Sequence, residues 1–141
     1  MGKFILQDGV VNVAGVNLSD HAFNVDVPQE REQIDVSGFN STGQKSFLPG
    51  ATDATATVQF LQDFAASSVH ATLEPLYRNS STFALIIKPT SAATSGTNPA
   101  FQGTAALFSY NGLSGNLGDR SEITAVFKSA DNLAPLAWAT A

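Results

Sequence analysis

The sequence predicts a mainly β fold, a β-sandwich or small barrel with one flanking α-helix. Three observations predict it. Several short segments alternate apolar and polar residues with a period of two, which marks half-buried strands. Turn residues separate these segments at close intervals, as in sandwiches and barrels. One stretch changes to three- and four-residue spacing, which suits an amphipathic helix. The 141 residues suit a single domain, 1–141, long enough to bury one hydrophobic core.

Lys3 to Gln7 is a short apolar run ending at the turn pair Asp8-Gly9. Val10 to Val13, then Ala14-Gly15, then Val16 to Leu18 follow. His21 to Val27 alternates, with Phe23, Val25 and Val27 on one side, until Pro28 stops it. Gln33 to Ser37 alternates again and places Ile34 and Val36 inward.

The stretch 38–50 is rich in glycine and polar residues and reads as an extended loop, too long for a tight turn. Its apolar residues Phe47, Leu48 and Pro49 leave two readings open. They fold back on their own core, or they reach a neighbouring subunit.

Thr52 to Leu61 is a strand with Ala54, Ala56, Val58 and Phe60 on one face. Phe64, Ala65, Val69, Leu73, Leu76 and Tyr77 then predict a helix over about 64–78, capped by Ser67 or Ser68 and bent near Pro75. Phe83 to Ile87 is a continuous apolar strand. Residues 89–100 are loop, and Phe101 to Asn111 and Ser121 to Lys128 are strands. The terminal segments read as arms, the last carrying the single tryptophan, Trp138.

Charged residues make up 13% of the chain, about half the usual ~25%. Neutral polar residues therefore cover the surface, which costs little to desolvate and suits a protein that packs against neighbours. The net charge is −5, with only seven scattered Lys and Arg. Stable wrapping of nucleic acid needs more cations than that, whereas an acidic conduit would let DNA pass without sticking. There is no cysteine, which excludes disulfides and thiolate chemistry. The opening apolar run is too short for a signal peptide, and no run approaches a membrane span, so synthesis in the cytoplasm is expected and membrane insertion is not.

Tests for chemistry return little. His21 and His70 lack the further ligands of a metal site, although Asp20 neighbours His21. No G-x-S-x-G elbow supports a hydrolase. Glu30 and Glu32 around Arg31, and Asp119 to Glu122, read as solvated charge clusters. Gly112-x-x-Gly115-x-x-Gly118 has the wrong spacing for a phosphate loop. The expectation is no enzyme, no cofactor and no metal.

Several stretches stand out by their order and spacing. Asp8-Gly9-Val10-Val11 with Asn17-Leu18-Ser19-Asp20-His21 comes first. Val36-Ser37-Gly38-Phe39 leads into Lys45-Ser46-Phe47-Leu48-Pro49-Gly50. Phe60 to Ala66 runs to Ala71 to Leu76, followed by Lys88 to Ala93 and Thr97-Asn98-Pro99. Together these stretches resemble the major tail tube proteins of long-tailed (siphovirus-type) bacteriophages, notably those infecting actinobacteria; the likeness runs from about Gly9 to Phe127, and His70, Tyr77 and Arg78 depart from the pattern.

The resemblance implies a virion protein that joins copies of itself edge to edge into hexameric rings. The rings stack into a tail tube through which DNA is ejected. It also implies a tape measure protein and a tail terminator or tip protein as partners. By that resemblance, Asn40, Ser41, Thr42, Gly43, Gln44, Lys45, Ser46, Phe47, Leu48, Pro49 and Gly50 are the candidates for contact between stacked rings. The alternatives are another virion component of similar fold, such as a capsid decoration or terminator protein, and a carbohydrate-binding sandwich, which one Trp and two Tyr serve poorly.

Overall fold

Alternation in the sequence becomes burial in the structure, a computed structural model that describes residues 3–39, 42–131 and 133–140. The strands are β1 (Val10–Val13), β2 (Val16–Asn17), β3 (Ala22–Asp26), β4 (Gln29–Asp35), β5 (Phe47–Leu61), β6 (Thr82–Lys88), β7 (Ala100–Tyr110), β8 (Glu122–Ser129) and β9 (Ala137–Ala139). The helix, α1, is Val69–Arg78 and lies between β5 and β6. All strand pairs are antiparallel. They form one open sheet in the order β2-β1-β6-β7-β8-β5-β3, with β4 extending along β5 and β9 along β7.

One face of this sheet holds the core. Ala54, Ala56, Val58 and Phe60 of β5 are buried, as their alternation predicts, with Ile123, Ala125 and Phe127 of β8 beside them. Phe101, Ala105 and Leu107 of β7, Phe83, Leu85 and Ile87 of β6 and Val11 and Val13 of β1 extend the layer, and Val69 and Leu73 of α1 cover it. Phe83 meets Phe127 edge to face at 5.8 Å.

The sheet curls until its two edges approach. Residues 18–21 bridge them. The Val11 amide donates to the Ser19 hydroxyl (2.9 Å), and the Leu61 amide to the His21 carbonyl (2.7 Å). The C-terminal segment also crosses close to β7. A Cβ on Gly103 would overlap the Pro135 carbonyl, so glycine is required there. Leu136 is buried and Trp138 packs on Phe101 at 5.4 Å.

Three expectations change. The helix begins at Val69 and not near Phe64, because Ser67 has φ 60 and a left-handed residue breaks the helical path. Ser68 occupies the N-cap position without a capping side-chain bond. Residues Phe47–Gly50 belong to β5 and not to a loop, since Asp35, Ile34 and Gln33 pair with Phe47, Leu48 and Pro49. Pro49 is tolerated because β8 pairs with β5 only from Thr55 onward, leaving an edge there. Finally, Ile34 and Val36 do not face the core; both are exposed.

The connection 89–99 is held by one side chain. Asn98, 6% exposed, accepts from the Thr90 amide (3.2 Å) and donates to the Ala92 carbonyl (2.7 Å). Asp8 ties the N-terminal segment to this loop by accepting from the Ser91 hydroxyl and amide, which hold its carboxyl below the usual range. Asn98→Ala is expected to lower stability by about 1–3 kcal/mol. It should also speed amide exchange at Thr90, as read by denaturant unfolding and hydrogen exchange.

Candidate assembly surface

The feature most distinct from the body is an arm made of β4 and the N-terminal half of β5. Every residue of β4 is exposed. On β5, burial begins only at Ala54, near where β8 joins. The arm is therefore a two-stranded ribbon with an unpaired edge on each side, a structure marginal in water by itself.

Despite its exposure, the arm is apolar on one face. Ile34 opposes Leu48, and Val36 follows on the same side, donating its amide to the Ser46 carbonyl (2.9 Å). Their exposures are 42% for Ile34, 47% for Val36 and 54% for Leu48. Glu32 shares this face, because Glu32 and Ile34 both lie against the α-carbon side of Gly50. Phe47 and Asp35 oppose each other on the other face, and Phe39 near the tip is fully exposed. Isolated apolar residues on a surface are ordinary; a contiguous set without a core of its own marks an interaction site.

Local bonds stiffen the arm. The Ser46 amide donates to the Ser37 hydroxyl (2.7 Å) and Arg31 donates to the Gly50 carbonyl (3.3 Å). The Ser37 hydroxyl and amide hold the Asp35 carboxyl below the usual carboxylate range. Glu30 opposes Asp53, and Lys128 sits 3.5 Å from Asp53, offsetting that repulsion.

Of the candidate ring-contact residues, Phe47, Leu48, Pro49 and Gly50 lie on β5. Thr42, Gly43, Gln44, Lys45 and Ser46 form the connection before it. Asn40 and Ser41 lie outside the described residues. The apolar face also uses Ile34 and Val36, which alternation alone assigns to the core. The local mark of the arm strand is charge: Glu30, Arg31, Glu32 and Asp35 all lie within β4.

A second feature is an apolar slot of about 380 Å³ where the curled edges approach. Leu6, Val10, Phe23, Val25 and Trp138 line it, with Lys88 at its margin. The Arg120 guanidinium lies over the Phe23 ring at 4.9 Å. On the sheet face opposite the core, Thr55, Thr57 and Gln59 of β5 oppose Lys128, Val126 and Thr124 of β8, Asp26 of β3 opposes Thr57, and Asn24 donates to Gln59 (2.8 Å).

The polar clusters show structural bonding. His21 pairs through Nε2 with Asp63 (2.9 Å), not with its neighbour Asp20, and Ser68 Oγ approaches the same nitrogen at 3.3 Å. A hydrolytic triad needs acid and hydroxyl on opposite ring nitrogens, and here Nδ1 is buried with no partner among the described residues. The Ala65 amide, then the Ser68 hydroxyl and His21, lower the Asp63 carboxyl. His70 bonds the Tyr110 hydroxyl (2.7 Å) and packs on Phe64, fixing α1 to β7, while burial pushes the Tyr110 phenol up. Among the described residues no group of three or more His, Cys, Asp or Glu could hold a metal, and no helix is long and apolar enough to cross a membrane.

No family model matches the chain, and no curated protein matches it either. Solved structures do. A chain from the virion of a native gene transfer agent particle superimposes with TM-score 0.73 at 12% identity, covering 92% of this chain and 95% of the other. A chain from the SPP1 tail tube matches with TM-score 0.69 at 13% identity, covering 96% and 77%. The fold is that of a tail tube protein. A chain from the tail of an empty gene transfer agent particle, determined with C6 symmetry, matches with TM-score 0.67 at 13% identity, covering 86% and 82%. On this tail-tube fold the arm is a segment that the chain's own core does not account for.

Proposed function

We propose that the chain is a structural subunit of a phage-type tail tube. Copies join into hexameric rings, rings stack, and DNA leaves the virion through the lumen. The observation that carries this reading is the arm: a ribbon with two unpaired edges and an apolar face, projecting from a body that has already buried its core. Such a ribbon gains most by meeting another chain. Sixfold rings draw support from the C6 tail with which the fold is shared.

The candidates for contact between rings extend from the 40–50 segment to the whole arm, Ile34 and Val36 included. A chain of net charge −5 with only seven Lys and Arg suits a lumen that does not bind phosphates. Stacking of identical rings does not end by itself. Partners that set length and close the tube, a tape measure and a terminator or tip protein, follow from that. The role is structural, in the virion tail, and calls for no cofactor.

Negative-stain electron microscopy of the purified chain at high concentration tests the proposal. Rings or tubes of uniform diameter are expected. Monomers alone, even beside preformed tail initiation complexes, would refute it.

A further inference from the structure

We infer that the arm of one copy seats its Ile34, Val36 and Leu48 face in the slot that a second copy opens between its β1 and β3 edges. This rests on the tail-tube reading and names the partner surface of the arm.

The arm cannot fill its own slot. From Ala22 to Asp35 the chain runs along β5, pairing from Phe60 back to Phe47. At ~3.3 Å per residue, Ile34 stands about 30 Å beyond Val25 in the same molecule. The slot and the arm's apolar face are thus far apart on one ribbon. Filling one with the other requires a second copy and makes a head-to-tail contact. A head-to-tail contact closes into a ring or propagates openly according to its rotation; between stacked rings it propagates.

The chemistry of the two surfaces matches. The slot is apolar inside, with Phe23 and Trp138 partly exposed, and takes branched aliphatic side chains. Its lining holds one cation, Lys88, which donates to the Ala92 carbonyl (3.1 Å) and has no carboxylate partner among the described residues, whereas Arg120 over Phe23 is paired with Glu122 (3.4 Å). The arm offers the complement: three aliphatic side chains with Glu32 beside them on the same face. Seated so, Glu32 reaches the Lys88 margin. A nucleic acid meets Lys88 but has nothing to bury in the aliphatic slot. A neutral apolar peptide would leave Lys88 unmatched.

Two experiments on the full chain test this. The chain has no cysteine, so Leu48→Cys and Phe23→Cys copies can be mixed under mild oxidation. The mixture is expected to give a disulfide-linked dimer well above either variant alone, since that bond needs Cα atoms within about 7 Å. Separately, Lys88→Glu and Glu32→Lys should each lower tube yield at least tenfold, and combining them in one chain should restore it.

Absence of both the mixed dimer and the rescue overturns the inference. So does a dominant Phe23→Cys self-dimer, which would place two slots against each other across a two-fold contact. If tubes still depend on Ile34 and Leu48 in that case, the arm's role stands and only its partner surface is wrong. If tubes form without Ile34 and Leu48, the assembly role of the arm fails as well.

Discussion

Phe60→Ala is expected to lower the free energy of unfolding by about 3–5 kcal/mol. Phe60 is fully buried, and its strand is the hub of the sheet. It pairs with Ala22 on one side and Ile123 on the other. Truncation removes an aromatic ring from a site walled by β-ladders on both sides, so the cavity has little room to collapse. A domain of this size is stable by roughly 5–15 kcal/mol, and the loss is therefore a large part of the total. Urea unfolding should show a lower midpoint with an unchanged slope. Amide exchange adds a second readout. The arm has no buried side chain before Ala54, so its amides should open locally and change little, while those of β8 should exchange much faster. An unchanged midpoint would mean that β5 does not organise the core.

The same strand shows how far the sequence can be read. Ala54, Ala56, Val58 and Phe60 alternate, and they are buried as that alternation implies. Ile34 and Val36 alternate equally well and are exposed. Period two states that a strand has two unlike faces. It does not state that a core lies behind one of them. For β4 none does, because only β5 stands beside it. The 38–50 stretch is recognisable as unusual from its glycines and stranded aromatics, but Phe47 to Gly50 join a ladder that depends on a partner strand across the loop. Ser67 holds off the helix by a backbone angle that its side chain does not announce. Pairings distant in sequence are hidden altogether. His21 meets Asp63 across 42 residues, and Trp138 meets Phe101. The slot, built from both ends of the chain, belongs to that class.

Ile34→Asp combined with Leu48→Asp is expected to abolish tubes while leaving the monomer intact. Both side chains are half exposed and touch no core, so the body's stability should move by no more than about 0.5 kcal/mol. The assembled state is different. Burying the exposed parts of Ile34, Val36 and Leu48 against a neighbour stabilises each contact by roughly 2–4 kcal/mol. Placing carboxylates there replaces that gain with a desolvation cost of several kcal/mol per group. In a closed ring every arm carries the defect, so the penalty is multiplied around the ring and stacking should fail completely. Sedimentation and electron microscopy read the loss, and near-ultraviolet circular dichroism checks the monomer. Head-to-tail geometry adds a sharper expectation. A variant copy keeps its slot but offers no usable arm, so a ring of variants accepts the arms of a normal ring and presents nothing to the next. Adding variant protein to normal protein should therefore shorten tubes in proportion to its share, instead of merely diluting them. Normal tube lengths in the mixture, or tubes from the variant alone, would show that the arm's apolar face does not carry the stacking contact.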